Sequence, residues 1–329
     1  MSNSDISFYS ISDGMLDTVS RIMGNLNWLS SINGLEKLPS LRKENRIKAV
    51  YSSLAFENSA ITIEQVSDIL NGKKVAVLQG DLNEVYNMFS AYERLTEVDP
   101  RNADGLLRVH KIMFDGLVAD AGRLRTKDGE IHDLSGEIIH IAPPCEFVAD
   151  ELVKLFEWVQ SSPANMLAKA SVCHYELQFI QPFNVGNFRM AMLWQAALLC
   201  SWNPIFAWIP VEGVVEARKE EYYKAIAEST SSFDSGAFVK FMIEAIDTAV
   251  KDVLDDVKNH LYHTSGQVVE LMKVIESYPQ SANELMDKLK LKSRLGFRKN
   301  YLQPALDLGL VIMTEPDKPT SKNQKYYKG

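Results

Sequence analysis

Apolar residues recur at helical spacing through most of this chain, and clusters of Gly, Pro and polar residues separate the runs. Over 45–56, Ile47, Val50, Leu54 and Ala55 share one side of a helix. Thr62, with Gln65 three residues on, forms a capping box opening a second helix that Asn71-Gly72 closes. Residues 81–95 resume the amphipathic pattern. After a polar break at 101–104, a helix over 106–117 carries His110 on or near its apolar face, where it reads as a hydrogen-bonded core residue. The helical period disappears between 122 and 144. Asp128-Gly129 and Ser135-Gly136 mark turns around Ile131 and Ile139-His140-Ile141, which predicts a short hairpin with His132 and His140 facing solvent or a cleft. Pro143-Pro144 ends it before a helix at 147–159.

The most informative stretch is 174–199. A helix from His174 should stop near Gln181, because Pro182 biases its predecessor away from α geometry. A short turn through Phe183, Asn184, Val185, Gly186 and Asn187 leads into a second helix, apolar almost all round and therefore buried. A Gly-containing turn at a helix N-terminus presents free N–H groups and the positive end of a dipole, a combination suited to phosphate. Further helices are expected over 216–227 and 237–263. The tail then has three, at 267–277, from the capping box Ser281/Glu284, and from Ser293. Pro304 should kink the third or end its regular part, and Gly309 should terminate it. Strands at 310–314 and 323–328, joined by a turn through Asp317, complete the pattern of a winged helix.

Composition adds limits. With 329 residues, 46% hydrophobic and 24% charged, the chain has room for two or three globular domains. No apolar run approaches membrane-spanning length, no secretory pattern opens the chain, and Cys145, Cys173 and Cys200 have no close pair, so a cytoplasmic setting is expected. His260 and His263 share a helix face without a third ligand, and no metal site is predicted. The net charge of −8 is uneven: residues 265–329 hold 11 Lys+Arg against 7 Asp+Glu, a balance of +4, which leaves −12 for the rest.

The layout of 181–192 resembles the Fic family, whose motif reads His-Pro-Phe-x-Asp/Glu-Gly-Asn-Gly-Arg-x-x-Arg. Pro182, Phe183, Gly186, Asn187 and Arg189 match, whereas Gln181 replaces the histidine, Val185 the acidic residue, Phe188 the second glycine and Met192 the last arginine. Upstream, Ser53, Glu57 and Asn58 match the Ser/Thr-x-x-x-Glu-Gly/Asn helix that obstructs the nucleotide site in such proteins. Its glutamate usually pairs with the last motif arginine, so Glu57 is expected to have lost its partner. The resemblance implies a mainly α fold with a helical Fic core, a short β-hairpin flap over 125–142 that holds a protein target, and a C-terminal winged helix. The expected parts are 1–100, an N-terminal helical region, 101–264, the core, and 265–329, the winged helix.

Family members typically transfer AMP from ATP to a protein hydroxyl. Here Gln181 cannot take the hydroxyl proton at neutral pH, a step worth ~10²–10⁴ in rate. Val185 offers Mg²⁺ no oxygen, although it stands where the usual ligand would. Gly186, Asn187 and Arg189 remain to hold ATP or another nucleotide. The leading reading is a Fic-fold protein with impaired or lost transfer that still binds a nucleotide, phosphate or protein. Two alternatives stay open: a divergent transferase with another phosphate-containing donor, and a DNA-binding regulator acting through 293–303. A homo-oligomer is also left open.

Overall fold

The structure, a computed structural model, describes residues 9–31, 35, 38–307 except 265, 310–316, 318–319, 321 and 323–329. It divides into two compact units, the second comprising the chain from Asp252 on together with the segment Ser31–Gly34. The first is helical: α1 (Asp13–Ser31), α2 (Pro39–Phe56), α3 (Ile63–Leu70), α4 (Gln79–Glu93), α5 (Ala103–Met113), a hairpin β1 (Glu130–His132) and β2 (Ile138–Ile141), then α6 (Val148–Ser161), α7 (Met166–Ile180), α8 (Asn187–Trp202), α9 (Val211–Ala217), α10 (Lys219–Ser232) and α11 (Gly236–Thr264), which runs on into the second unit. Helices α7 and α8 are buried on nearly every side, as helices without a polar face must be. They form the centre of this unit. Some of their polar groups are satisfied within the core: Trp194 donates its indole N–H to the Pro100 carbonyl at 3.0 Å.

Local chemistry explains the ends of these elements. Thr62 accepts from the Gln65 N–H at 3.3 Å while Gln65 reaches back to the Thr62 N–H at 2.9 Å, so the expected capping box forms. In the hairpin turn Asp133 Oδ1 accepts from the N–H groups of Ser135 and Glu137, and Gly136 takes φ 88°. The helix expected at 216–227 is instead two, because the chain breaks at Arg218 between α9 and α10. His140 is also not exposed as expected: it is buried and hydrogen-bonded to the Phe179 carbonyl at 2.8 Å, on the side of β2 that faces inward. His132 is exposed, next to Glu130.

The second unit contains α12 (Gly266–Val274), β3 (Gln280–Ser281), α13 (Ala282–Lys288), α14 (Arg294–Phe297), α15 (Gln303–Asp307), β4 (Val311–Met313) and β5 (Lys325–Lys328). Its antiparallel sheet has the order β3-β5-β4. Val268, Leu271, Leu285, Phe297, Leu302, Ala305 and Val311 form the core. Pro304 does not stop its helix. A π-helical turn, Arg298–Leu302, lies between α14 and α15 and re-spaces the hydrogen bonds ahead of the residue that lacks an N–H. Gly309, Asp317 and the side chain of His263 lie outside the described residues. Among the described residues no helix is long and apolar enough to cross a membrane.

Candidate functional site

The site lies in the turn between α7 and α8. Helix α7 stops because Gln181 turns left-handed, φ 48° and ψ 63°, before Pro182. The terminal carbonyls do not stay unpaired: Arg125 Nε donates to the Gln181 carbonyl at 2.6 Å and Nη2 to that of Ile180 at 3.2 Å. The same guanidinium holds the carbonyls of Lys127 and Pro143, tying the hairpin base to the helix end. His110 supports the turn from α5. Its Nδ1 accepts from the Gly122 N–H at 2.8 Å, so the neutral ring donates from Nε2 to the Val185 carbonyl at 3.1 Å while stacking on Phe183. Burial lowers its pKa, in keeping with that neutral form.

Asn187 is used entirely within the turn. Its Oδ1 accepts from the Phe183 N–H at 2.9 Å, and its Nδ2 donates to the Phe183 carbonyl and to Gln181 Oε1, both at 2.8 Å. Gln181 Nε2 donates to the Gln178 carbonyl at 2.9 Å, so the amide at the position of the motif histidine is held at both ends. Gly186 has φ 81° and lies against Phe114, whose ring would collide with any Cβ there. Its left-handed geometry starts α8 with free N–H groups.

What lies at that N-terminus comes from α2. Glu57 Oε2 is 2.7 Å from Arg189 Nε, an ion pair whose N–H is not aligned for a hydrogen bond. This sets the Glu57 carboxylate against the first turn of α8, whose positive end favours an anion. Arg189 Nη1 and Nη2 also donate to Glu84 of α4 at 3.3 and 3.4 Å, and the Phe114 ring lies 5.6 Å from the guanidinium carbon. Burial outweighs the guanidinium and, with Glu84 adding its own charge, keeps the Glu57 carboxyl above the usual range. Met192 is buried and brings no charge. Glu57 lacks the partner that the family pattern gives it, the last motif arginine, and pairs instead with Arg189.

A ring stack reinforces the closure. Phe188, at the position of the second glycine, stacks on Phe56 with centroids 3.5 Å apart and planes 6° from parallel. Asn58 follows in the left-handed conformation, φ 63°, which explains why a Gly or Asn suits the residue after the glutamate. Lys219 holds this end through the Phe56 carbonyl and Asn58 Oδ1. Ser53 points the other way, to Tyr92 Oη at 3.2 Å, and Tyr92 in turn donates to buried Glu212 at 2.5 Å. Burial raises the pKa of both Tyr92 and Glu212.

Between these groups and the hairpin remains a cavity of about 300 Å³, at the small end for ligand pockets. Gln178 Nε2, buried and without a partner, belongs to a residue that lines it. The exposed Val185 side chain at the acidic position offers Mg²⁺ no oxygen. Among the described residues no three His, Cys, Asp or Glu converge on a metal position. The residues present do not fit Mg²⁺, and the Glu57 carboxylate stands beside Arg189 in the first turn of α8. His174 is no substitute base. It sits between Gln195 and Tyr222, and burial pushes its pKa down to about 3. The structure thus brings Glu57, Gln181, Gly186, Asn187 and Arg189 together and turns Ser53 away. Glu84, Phe56 and Arg125 are additions, and only spatial proximity identifies them.

Comparison with known proteins agrees with this arrangement. Residues 100–199 match the family model of the Fic/DOC family, and residues 266–327 that of the C-terminal domain of Fic-like, filamentation induced by cAMP, proteins. Protein adenylyltransferase fic-1 of Caenorhabditis elegans is 24% identical over 257 residues, 74% of this chain and 47% of its own length; the Caenorhabditis briggsae protein of the same name is also 24% identical, over 78% and 49%. The chain thus spans about half the length of the curated relatives it matches. The solved Fic-1 of C. elegans shares the fold, with a TM-score of 0.59 at 20% identity over 74% of each chain. A crystal structure of a Fic family protein from Desulfovibrio desulfuricans G20 is 34% identical, with a TM-score of 0.74, over 98% of this chain and 97% of that one. With such likeness along its whole length, and with the motif turn seated between its two central helices, this chain belongs to the Fic/DOC family.

Proposed function

We propose that this protein is a relative of the protein adenylyltransferases in which AMP transfer is lost or strongly impaired, and that it acts by binding. The observation that carries this reading is the state of Gln181: both ends of its amide are occupied by Gln178 and Asn187, so it can neither take a proton nor turn toward a hydroxyl. Glu57 and the Phe56–Phe188 stack support it by filling the phosphate end of the site. The working parts are the N-terminal helices 1–100 that close the site, the core 101–264, and the C-terminal part 265–329. The hairpin over 125–142, with Leu134, Ile138 and Ile141 exposed, is the surface for a protein target, held along a strand edge. ATP or another nucleotide enters weakly, against Glu57 and without the carboxylate that would hold Mg²⁺ at residue 185.

The test is label transfer from radioactive ATP, with the full chain alone and in cell lysate. No labelling above background is expected, and Gln181→His alone should not start it, because Phe188, Met192 and Glu57 remain. Robust labelling that disappears in Gly186→Ala or Arg189→Ala protein would overturn the reading.

A further inference from the structure

The second unit holds a feature that the Fic site does not account for, a cleft of about 500 Å³ lined by Asn283, Arg294, Phe297, Arg298, Ser321 and Tyr326 among others. Arg294 and Arg298 are one helical turn apart and so project from the same face. Both are exposed, and among the described residues neither has a carboxylate partner. Burial raises the pKa of Tyr326, and both arginines pull it back, as groups converging on one place must. Phe297 forms a fully buried floor, so the cleft is apolar below and cationic at its rim.

We propose that this cleft, between the helix starting at Arg294 and strand β5, binds the phosphate backbone of duplex DNA. Charge is the first argument: residues 265–329 carry +4 in a chain of net charge −8, and the two exposed guanidiniums lie within that segment. Shape is the second. The helical run from Arg294 to Asp307, about 21 Å long at 1.5 Å per residue, shows Lys299, Asn300 and Leu295 to solvent, the last 78% exposed. A major groove ~12 Å wide admits such a helix, and an exposed leucine can meet a thymine methyl. The third argument separates duplex from single strand. The aromatic residues of the cleft, Phe297 and Tyr326, are buried and offer no stacking platform of the kind on which unpaired bases are held.

The experiment measures anisotropy of a fluorescent duplex of mixed sequence with the full chain at low salt, then through a salt titration. Expected is binding in the micromolar range, with a log–log salt slope that falls by about 2 in the Arg294→Ala/Arg298→Ala double variant, together with an affinity loss of about tenfold. An unchanged unfolding midpoint and far-UV spectrum shows that this variant folds. Glu57→Ala should leave DNA binding unchanged, so failure here is separate from failure at the Fic site. No duplex binding at low salt overturns the proposal. So does binding that the double variant retains, or a cleft-dependent preference for a single strand or a phosphoserine peptide.

Discussion

The molecule presents its arginines to anions in two opposite ways. Arg189, at the start of α8, is 5% exposed and faces two carboxylates of its own chain, Glu57 and Glu84. Arg294 and Arg298 stand exposed at a cleft rim, with no such partner among the described residues. A guanidinium answered from within contributes to the fold and is withheld from ligands. One left unanswered does little for the fold and can take an outside anion. Resemblance to a phosphate-binding motif therefore does not by itself locate the anion site.

The largest expected effect comes from breaking the inner set. Arg189→Met leaves Glu57 and Glu84 facing each other, half-buried and without a cation, and should cost about 2–4 kcal/mol after allowance for their partial exposure. Urea unfolding measures it, and a midpoint equal to wild type would remove the contrast. Part of the loss should return with Glu57→Gln.

Next comes acid sensitivity of the closed unit. His174 is neutral in the fold, with its pKa lowered from 6.5 to about 3. The unfolded chain therefore binds the extra proton first, and stability present above pH 6.5 is lost as pH falls toward 3, by up to about 1.4 kcal/mol per unit. Glu57 has the opposite sign: its raised pKa gives stability at low pH that is lost as pH rises through that value. In unfolding curves between pH 7 and 5 His174 should account for a loss of about 2 kcal/mol, which His174→Gln removes, leaving the same-sign losses of buried His110 and His140. Equal slopes would exclude His174 as the source.

A smaller effect concerns the ligand. Glu57→Ala clears the N-terminus of α8 and should tighten ATP about tenfold, read by calorimetry. No change would mean that Glu57 is not what keeps the nucleotide out. The smallest effect belongs to the outer set, where Arg298→Ala should alter stability by no more than about 0.5 kcal/mol. A larger cost would show Arg298 to be part of the fold.

Much of this architecture was readable because its signals are local. The capping boxes at Thr62 and Ser281, the stop at Gln181-Pro182 and the hairpin turns each lie within a few residues, and each formed. The four replaced motif positions were equally plain. What sequence could not give was the response of the rest of the chain. Glu57 and Arg189 are 132 positions apart, and nothing near either says that they meet or that Glu84 joins them. Arg125, which holds four carbonyls, has no local pattern to mark it. His140 was misjudged for a related reason: a two-stranded hairpin alternates its faces, and the inward one is known only once α7 is in place beneath it.

The pair Phe56 and Phe188 makes residue 188 a joint of the fold as well as a member of the motif turn. Replacing Phe188 by glycine would remove a buried ring and leave Phe56 without its stacked partner, a loss of about 3–5 kcal/mol. The stack thus ties the end of α2 to the start of α8, so a change at residue 188 is felt as lost stability whatever it does to the turn.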